Sequence, residues 1–120
     1  MEPELGKLET QMKRGLLEYV ILALIHSDDK YSSDILETLK KYNFIVVEGT
    51  LYPLLSRLKN DGHVSYYWKE STEGPPRKYF KITDEGKRFY IELDRTWKTL
   101  SSTINTIILS QSHESWKKST

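Results

Sequence analysis

The stretch Glu48-Gly49-Thr50-Leu51-Tyr52-Pro53-Leu54-Leu55-Ser56-Arg57-Leu58-Lys59-Asn60-Asp61-Gly62-His63-Val64 constrains the fold of this chain more than any other. Leu51, Leu54, Leu55 and Leu58 fall at i, i+3, i+4 and i+7, which is one apolar stripe of a helix. Thr50, Tyr52, Pro53, Ser56, Arg57 and Lys59 are left on the other faces. Asp61-Gly62 is a stop, because glycine suits the left-handed residue that follows a helix. The chain then enters Val64-Ser65-Tyr66-Tyr67-Trp68, whose composition is that of a strand. A helix with one buried side and one free side is thus delivered straight into an extended segment.

The flanks give that helix its setting. Residues from about Leu5 to His26 carry helical spacing through Leu5, Leu8, Met12, Leu16, Tyr19, Val20, Ala23 and Leu24. The second half is apolar nearly all round, which predicts burial on two sides, one in its own domain and one against something else. Ser27-Asp28-Asp29-Lys30 is a polar break, and a second helix is predicted from Ser33 to about Tyr42 with Ile35, Leu36 and Leu39 inward and Asn43 closing it. The apolar connector from Asn43 to Val47 should anchor by Phe44 and by Val46 or Val47. Helix, short connector and helix make helix-turn-helix geometry. After Gly62, strand signals at about His63 to Glu70 and Arg77 to Lys81 flank Ser71-Thr72-Glu73-Gly74-Pro75-Pro76, which carries turn chemistry. That hairpin is a wing, and the fold class expected is α+β, mainly α: a winged helix-turn-helix.

Thr83 is an N-cap for a last helix, with Asp84 and Glu85 at its positive end and Phe89, Leu93, Trp97 and Leu100 along one stripe. Tyr90, Ile104, Ile107, Ile108 and Leu109 extend that surface, and from Ser110 a polar, frayed tail is expected. A helix of roughly 25 residues with this much apolar surface exceeds what a small winged helix can cover, which points to a second subunit. The expected organisation is residues 1–82 as the winged domain and residues 83–120 as a dimerising helix with its tail.

Composition closes off other classes. A chain of 120 residues is one folding unit. Lys+Arg 18 against Asp+Glu 17 gives a net charge of +1, so any basic surface must arise from distribution. With no cysteine there are no disulfides, thiolate metal sites or cysteine nucleophiles, which suits a reducing compartment. The longest apolar run, Tyr19 to Ile25, is too short to span a bilayer, and Met1-Glu2-Pro3-Glu4 is acidic where a signal peptide is basic. A cytoplasmic protein without membrane contact is expected. His26, His63 and His113 are unclustered, and no nucleophile-base pair, paired-carboxylate site or phosphate-binding glycine loop is visible. The chain reads as no enzyme, with no metal and no cofactor.

The ordered set Gly49 to Leu58, Asp61-Gly62, Trp68, Gly74-Pro75-Pro76-Arg77-Lys78-Tyr79-Phe80 and Ile82-Thr83-Asp84-Glu85-Gly86 resembles the signature blocks of PadR-family transcriptional regulators. The short stretch after Thr83 is similar to the group with a single long C-terminal helix. The resemblance implies a homodimeric winged-helix repressor that binds a double-stranded DNA operator, its last helix packed on the partner's first helix. Where the family often has Gly-Tyr at the start of its second helix, this chain has Ser32-Ser33, while Tyr31 and Asp34 still fit.

The start of the third helix presents N–H groups and a positive dipole end, and its first turns can enter a major groove about 12 Å wide. Thr50, Tyr52, Pro53 and Ser56 are the groove candidates. None has the bidentate geometry of Arg or Asn, so reading should lean on apolar, hydroxyl and shape contacts. Arg57, Lys59, Ser32 and Ser33 are phosphate candidates, and Lys69, Arg77 and Lys78 arm the wing. Each has a plainer reading: Tyr52 as core padding, Arg77 and Lys78 as partners of Glu70 and Glu73, and Trp68 as wing packing. Trp97 suits an interface anchor. The resemblance adds that it stacks a small planar aromatic effector, with Leu8, Gln11, Met12, Leu93 and Asp94 around it. A rival to the whole reading is a winged helix that binds protein and no DNA.

Overall fold

The computed structural model describes residues 3–119 of the backbone and the side chains of residues 4–112, so His113 and Trp116 lie outside the described side chains. The elements run α1 (Pro3–Ser27), β1 (Lys30–Tyr31), α2 (Ser32–Lys41), α3 (Glu48–Asn60), β2 (Val64–Ser71), β3 (Gly74–Ile82) and α4 (Asp84–Ser119). Four helices and one small antiparallel sheet of order β1-β3-β2 make a mainly helical winged-helix fold. The chain divides into two compact units, one ending at Tyr90 and one beginning at Ile91.

The core of the first unit is assembled from every element the sequence pattern assigned to it. Leu51, Leu54, Leu55 and Leu58 of α3 are all buried, joined by Leu17, Ile21, Leu22 and Ile25 of α1, Ile35 and Leu39 of α2, and Val64, Phe80 and Ile82 of the hairpin. The all-round apolar half of α1 resolves into that buried face and a half-buried one bearing Leu16, Val20 and Leu24, while Leu5, Leu8 and Met12 farther up are exposed. The connector ahead of α3 begins with Asn43 in the left-handed region at φ 59°. Phe44 N–H then donates to the Leu39 carbonyl at 2.8 Å. Phe44 and Val46 are half-buried, whereas Ile45 and Val47 are exposed.

The junction after α3 ties Asp61-Gly62 to Thr83-Asp84-Glu85-Gly86. Gly62 lies at φ +83°, its N–H bonded to the Lys59 carbonyl at 3.0 Å and the His63 N–H to the Leu58 carbonyl at 2.9 Å, which is the Schellman closure of a helix. Thr83 caps α4 by accepting from the Gly86 N–H at 2.9 Å, and the same hydroxyl donates to the Gly62 carbonyl at 2.6 Å. A side chain at Gly86 would run into the His63 carbonyl, so only glycine lets α4 start there. His63 completes the knot by stacking on Phe89, ring centroids 4.1 Å apart.

Three local expectations change. Lys30, assigned to a polar break, and Tyr31 next to it form β1 by pairing with Phe80 and Tyr79. Gly74, Pro75 and Pro76, assigned to the turn, are the first residues of β3, and the tip of the wing is Thr72-Glu73 alone. Prolines are tolerated there because β1 reaches only Tyr79 and Phe80, so residues 74–78 form a free edge on one side. Finally α4 continues through the polar residues after Ser110 to Ser119 instead of fraying. No glycine or proline follows Gly86, and polar residues alone do not break a helix.

Candidate nucleic-acid interface

The stripe that buries four leucines turns the opposite side of α3 outward. Tyr52, Pro53, Ser56, Arg57 and Lys59 are exposed and Thr50 is half-buried. Tyr52 is 45% exposed, which does not fit core padding, and its hydroxyl lies 3.3 Å from that of Ser32. Ser32, the first residue of α2, is the buried polar member of this pair at 9% exposure, and Ser33 beside it is half-buried. The two cations of α3 point to different flanks. Arg57 reaches toward α1, where its guanidinium is 3.6 Å from Glu18, while the Lys59 ammonium lies 5.3 Å from the centre of the Tyr66 ring on β2. An exposed pair such as Arg57 with Glu18 is worth about 0 to 1 kcal/mol, so Arg57 can exchange that partner for a phosphate.

Strand alternation sorts the wing into two faces. Tyr66 pairs with Phe80 and Trp68 with Lys78 on the face that carries Val64 and Ile82 into the core. Tyr67 with Tyr79 and Lys69 with Arg77 occupy the other. Arg77 and Lys78 therefore point to opposite faces. The Lys78 ammonium sits 4.0 Å from the Tyr66 ring centre, Lys69 sits 5.4 Å from that of Tyr79, and the Arg77 guanidinium sits 4.9 Å from that of Tyr31. Among the described residues none of these three cations is in an ion pair, so pairing with Glu70 and Glu73 is not the arrangement found. Cation-on-ring contacts at exposed sites are worth about 0.5 to 1 kcal/mol and leave the positive charge unneutralised.

Trp68 stands out from the wing toward solvent. It is 63% exposed, on the same face as Lys78 and Tyr66. Its spacing of two from Tyr66 was the available signal, since alternation puts both on the side toward α3. At the base of the wing the Tyr67 hydroxyl donates to Asp29 at 2.7 Å, which ties the hairpin to the α1–β1 loop. That hydrogen bond, followed by partial burial and the charge of Asp29, raises the Tyr67 phenol above its ordinary 10.0.

The residues expected around an effector divide between the two units. Leu8, Gln11 and Met12 are exposed on α1. On α4, Leu93 and Asp94 are half-buried, Trp97 is 36% exposed, and Asp94 is bonded to Lys98 at 2.7 Å. Among the described residues no group of acidic or histidine side chains could hold a metal, and no helix is long and apolar enough to cross a membrane.

Against known families, residues 21–92, more than half of the chain, match the model of the "Transcriptional regulator PadR-like family". The chain belongs to the PadR-like family. The matched residues contain every block from Gly49 to Gly86 and stop within α4. Among solved structures, this PadR-like chain is similar to a PadR-like transcription factor from Bacteroides fragilis. That one is 54% identical with a TM-score of 0.71, over 84% of this chain and 98% of the other. A PadR-like transcriptional regulator from Bacillus cereus is 36% identical, with a TM-score of 0.75 over 82% and 96% of the two chains. An uncharacterised protein of Lysinibacillus sphaericus is 32% identical over 95 residues, 77% of this chain and 87% of its own. PadR-like proteins are transcriptional regulators and not enzymes.

Proposed function

We propose that this PadR-like chain is a homodimeric repressor that binds a duplex operator and is released by a small planar aromatic effector. In this reading residues 1–82 bind DNA and residues 83–120 dimerise. The observation that carries it is the outer side of α3 and the wing taken together. Tyr52, Pro53, Ser56 and Lys59 stand exposed with Lys78 on the wing face toward them and Lys69 and Arg77 on the other face, the charges of all three wing cations stacked on rings and in no ion pair among the described residues. Thr50, Tyr52, Pro53 and Ser56 enter the major groove. Ser32, Ser33, Arg57 and Lys59 meet phosphates beside it, and the wing cations meet the neighbouring backbone. Selecting bound genomic fragments and sequencing them tests the reading and yields the operator. Retention of no fragment above a non-specific background, by a protein that still dimerises, would favour a protein-binding module instead.

The dimer is supported by apolar surface that neither unit covers on its own. Leu5, Leu8 and Met12 on α1, and Leu100, Ile104, Ile107 and Ile108 on α4, are exposed. Effector binding is the finer part. Leu8, Gln11, Met12, Leu93 and Asp94 surround Trp97, whose indole stacks the ligand. Asp94 favours a cationic compound once Lys98 is displaced. Planar aromatic compounds are expected to quench Trp97 fluorescence, with no such quenching in a Trp97→Ala protein that still dimerises. Equal quenching in both proteins would reduce Trp97 to an interface anchor.

A further inference from the structure

The start of α2, the outer side of α3 and the inner face of the wing enclose a cleft of about 250 Å³. Ser32, Tyr52, Ser56, Lys59 and Lys78 supply its polar wall, and Leu55 and Phe80 its floor. We propose that this cleft seats one phosphoryl group, held jointly by Lys59, Lys78 and the Ser32–Tyr52 hydroxyl pair, and that its source is the DNA backbone. The choice of source rests on the DNA-binding reading above.

Three observations support the chemistry. First, two ammonium groups share one ring: Lys59 and Lys78 lie 5.3 and 4.0 Å from the centre of Tyr66. Two ammonium groups that line one cleft with no acidic lining residue, and that are in no ion pair among the described residues, favour an anion between them. Second, the Ser32 and Tyr52 hydroxyls are 3.3 Å apart and either can donate. Two O–H protons with one bond between them leave one proton for an outside acceptor, and both hydroxyls line the cleft. Third, the size suits an ester more than a bare ion. At roughly 30 Å³ per water the cleft has room for about eight waters, enough for a phosphate with an attached sugar on the Leu55–Phe80 floor. Such a seat also sets the spacing between wing and α3, because one phosphate is gripped from both.

The test uses the full chain and two probes. On a mixed-sequence duplex, Lys59→Ala and Lys78→Ala should each weaken binding about tenfold at low salt. Each alone should change the slope of log affinity against log salt little, because the lysine that remains still neutralises the shared phosphate. The double variant should lose about 0.9 of slope, the value for one phosphate, because both lysines serve the same phosphate. Arg77→Ala, whose side chain lies on the other face of the wing and meets a phosphate of its own in the reading above, should lose about 0.9 by itself. Tyr52→Phe should weaken binding with the slope kept, since a neutral hydroxyl releases no counterion. Additive slope losses for Lys59 and Lys78 would overturn the shared seat while leaving DNA binding intact.

The second probe is inorganic phosphate against chloride at equal ionic strength, read by thermal melting. Coupled lysines on DNA with no phosphate effect on the melting temperature assign the cleft to the backbone. A wild type that shows no salt-dependent affinity for duplex defeats the DNA-binding reading, and the phosphate probe then decides alone. In that case a phosphate-induced rise in wild type that the double variant loses assigns the cleft to free phosphoryl compounds, and a rise in neither, or in both alike, ends the proposal.

Discussion

Gly49 sits in the first turn of α3, and a methyl group built on it would meet no atom within 4 Å. Its φ is not in the left-handed region either, so neither packing nor backbone geometry in the free protein requires a glycine there. What remains is close approach from outside, at the helix end that the proposed function turns toward DNA. Gly49→Ala should therefore keep or raise stability, by up to about 1 kcal/mol from helix propensity, while weakening operator binding. Thermal melts beside binding curves check this, and undiminished affinity would remove the close-approach role. Gly62 is the opposite case. At φ +83° it closes α3, and Gly62→Ala should cost about 1 to 2 kcal/mol in denaturant unfolding, without any direct effect on the DNA-binding surface. Thr83→Ala should cost a comparable amount, about 1 to 2 kcal/mol, through loss of the cap to Gly86 and of the bond to the Gly62 carbonyl. Two glycines in neighbouring blocks thus serve different ends, a difference that residue type alone does not reveal.

Among the elements, the wing shows where the sequence is legible and where it is silent. The leucine spacing of α3 and the Thr83 cap are local signals, and both define their elements in the structure. Strand β1 has no local signal, since two residues become a strand only when Tyr79 and Phe80 of β3 arrive beside them. Pro75 and Pro76 signal a turn, yet they are strand residues because their side of β3 is an edge. Alternation alone sets Arg77 and Lys78 on opposite faces, but which of them faces α3, and the meeting of Lys59 and Lys78 over Tyr66, follow only from the register and the packing. The Tyr67–Asp29 bond, which spans 38 positions, is likewise invisible in sequence. It predicts a pH response of definite sign. A phenol whose folded value lies above the unfolded 10.0 stabilises the fold at neutral pH, and that contribution is lost as pH rises past 10.0 through the raised value. Asp29→Asn should lower the titration of Tyr67 toward its ordinary range. Tyrosinate absorbance, with Tyr67→Phe to assign the signal, measures it; an unchanged titration curve would remove Asp29 as the cause.

For the molecule as a whole, the proposed dimer rests on the exposed apolar surface of α4. Trp97, Leu100, Ile104 and Ile107 are spaced by three, four and three residues, the heptad alternation of helices that pack along their length, and all four are exposed. Ile108 and Leu109 widen the stripe, which continues on a helix that runs to Ser119. A chain left as a monomer would keep this surface in water at a cost of about 1.5 to 3 kcal/mol for each large apolar side chain that could be buried. The exposed Leu5, Leu8 and Met12 of α1 are a second apolar strip of matching character. The proposed dimer buries both. Ile104→Glu with Ile107→Glu places a carboxylate in each copy where an apolar contact is proposed. Light scattering should then report a dimer for the wild type and a monomer for the variant. The wild-type melting temperature should rise with protein concentration, as it does when folding and association are linked, and the variant's should not. DNA affinity of the variant should fall with the loss of the second half-site contact even though α3 and the wing are untouched. A wild type that stays monomeric at micromolar concentration, or a variant that remains a dimer, would move the interface away from α4 and take the proposed effector site at Trp97 with it.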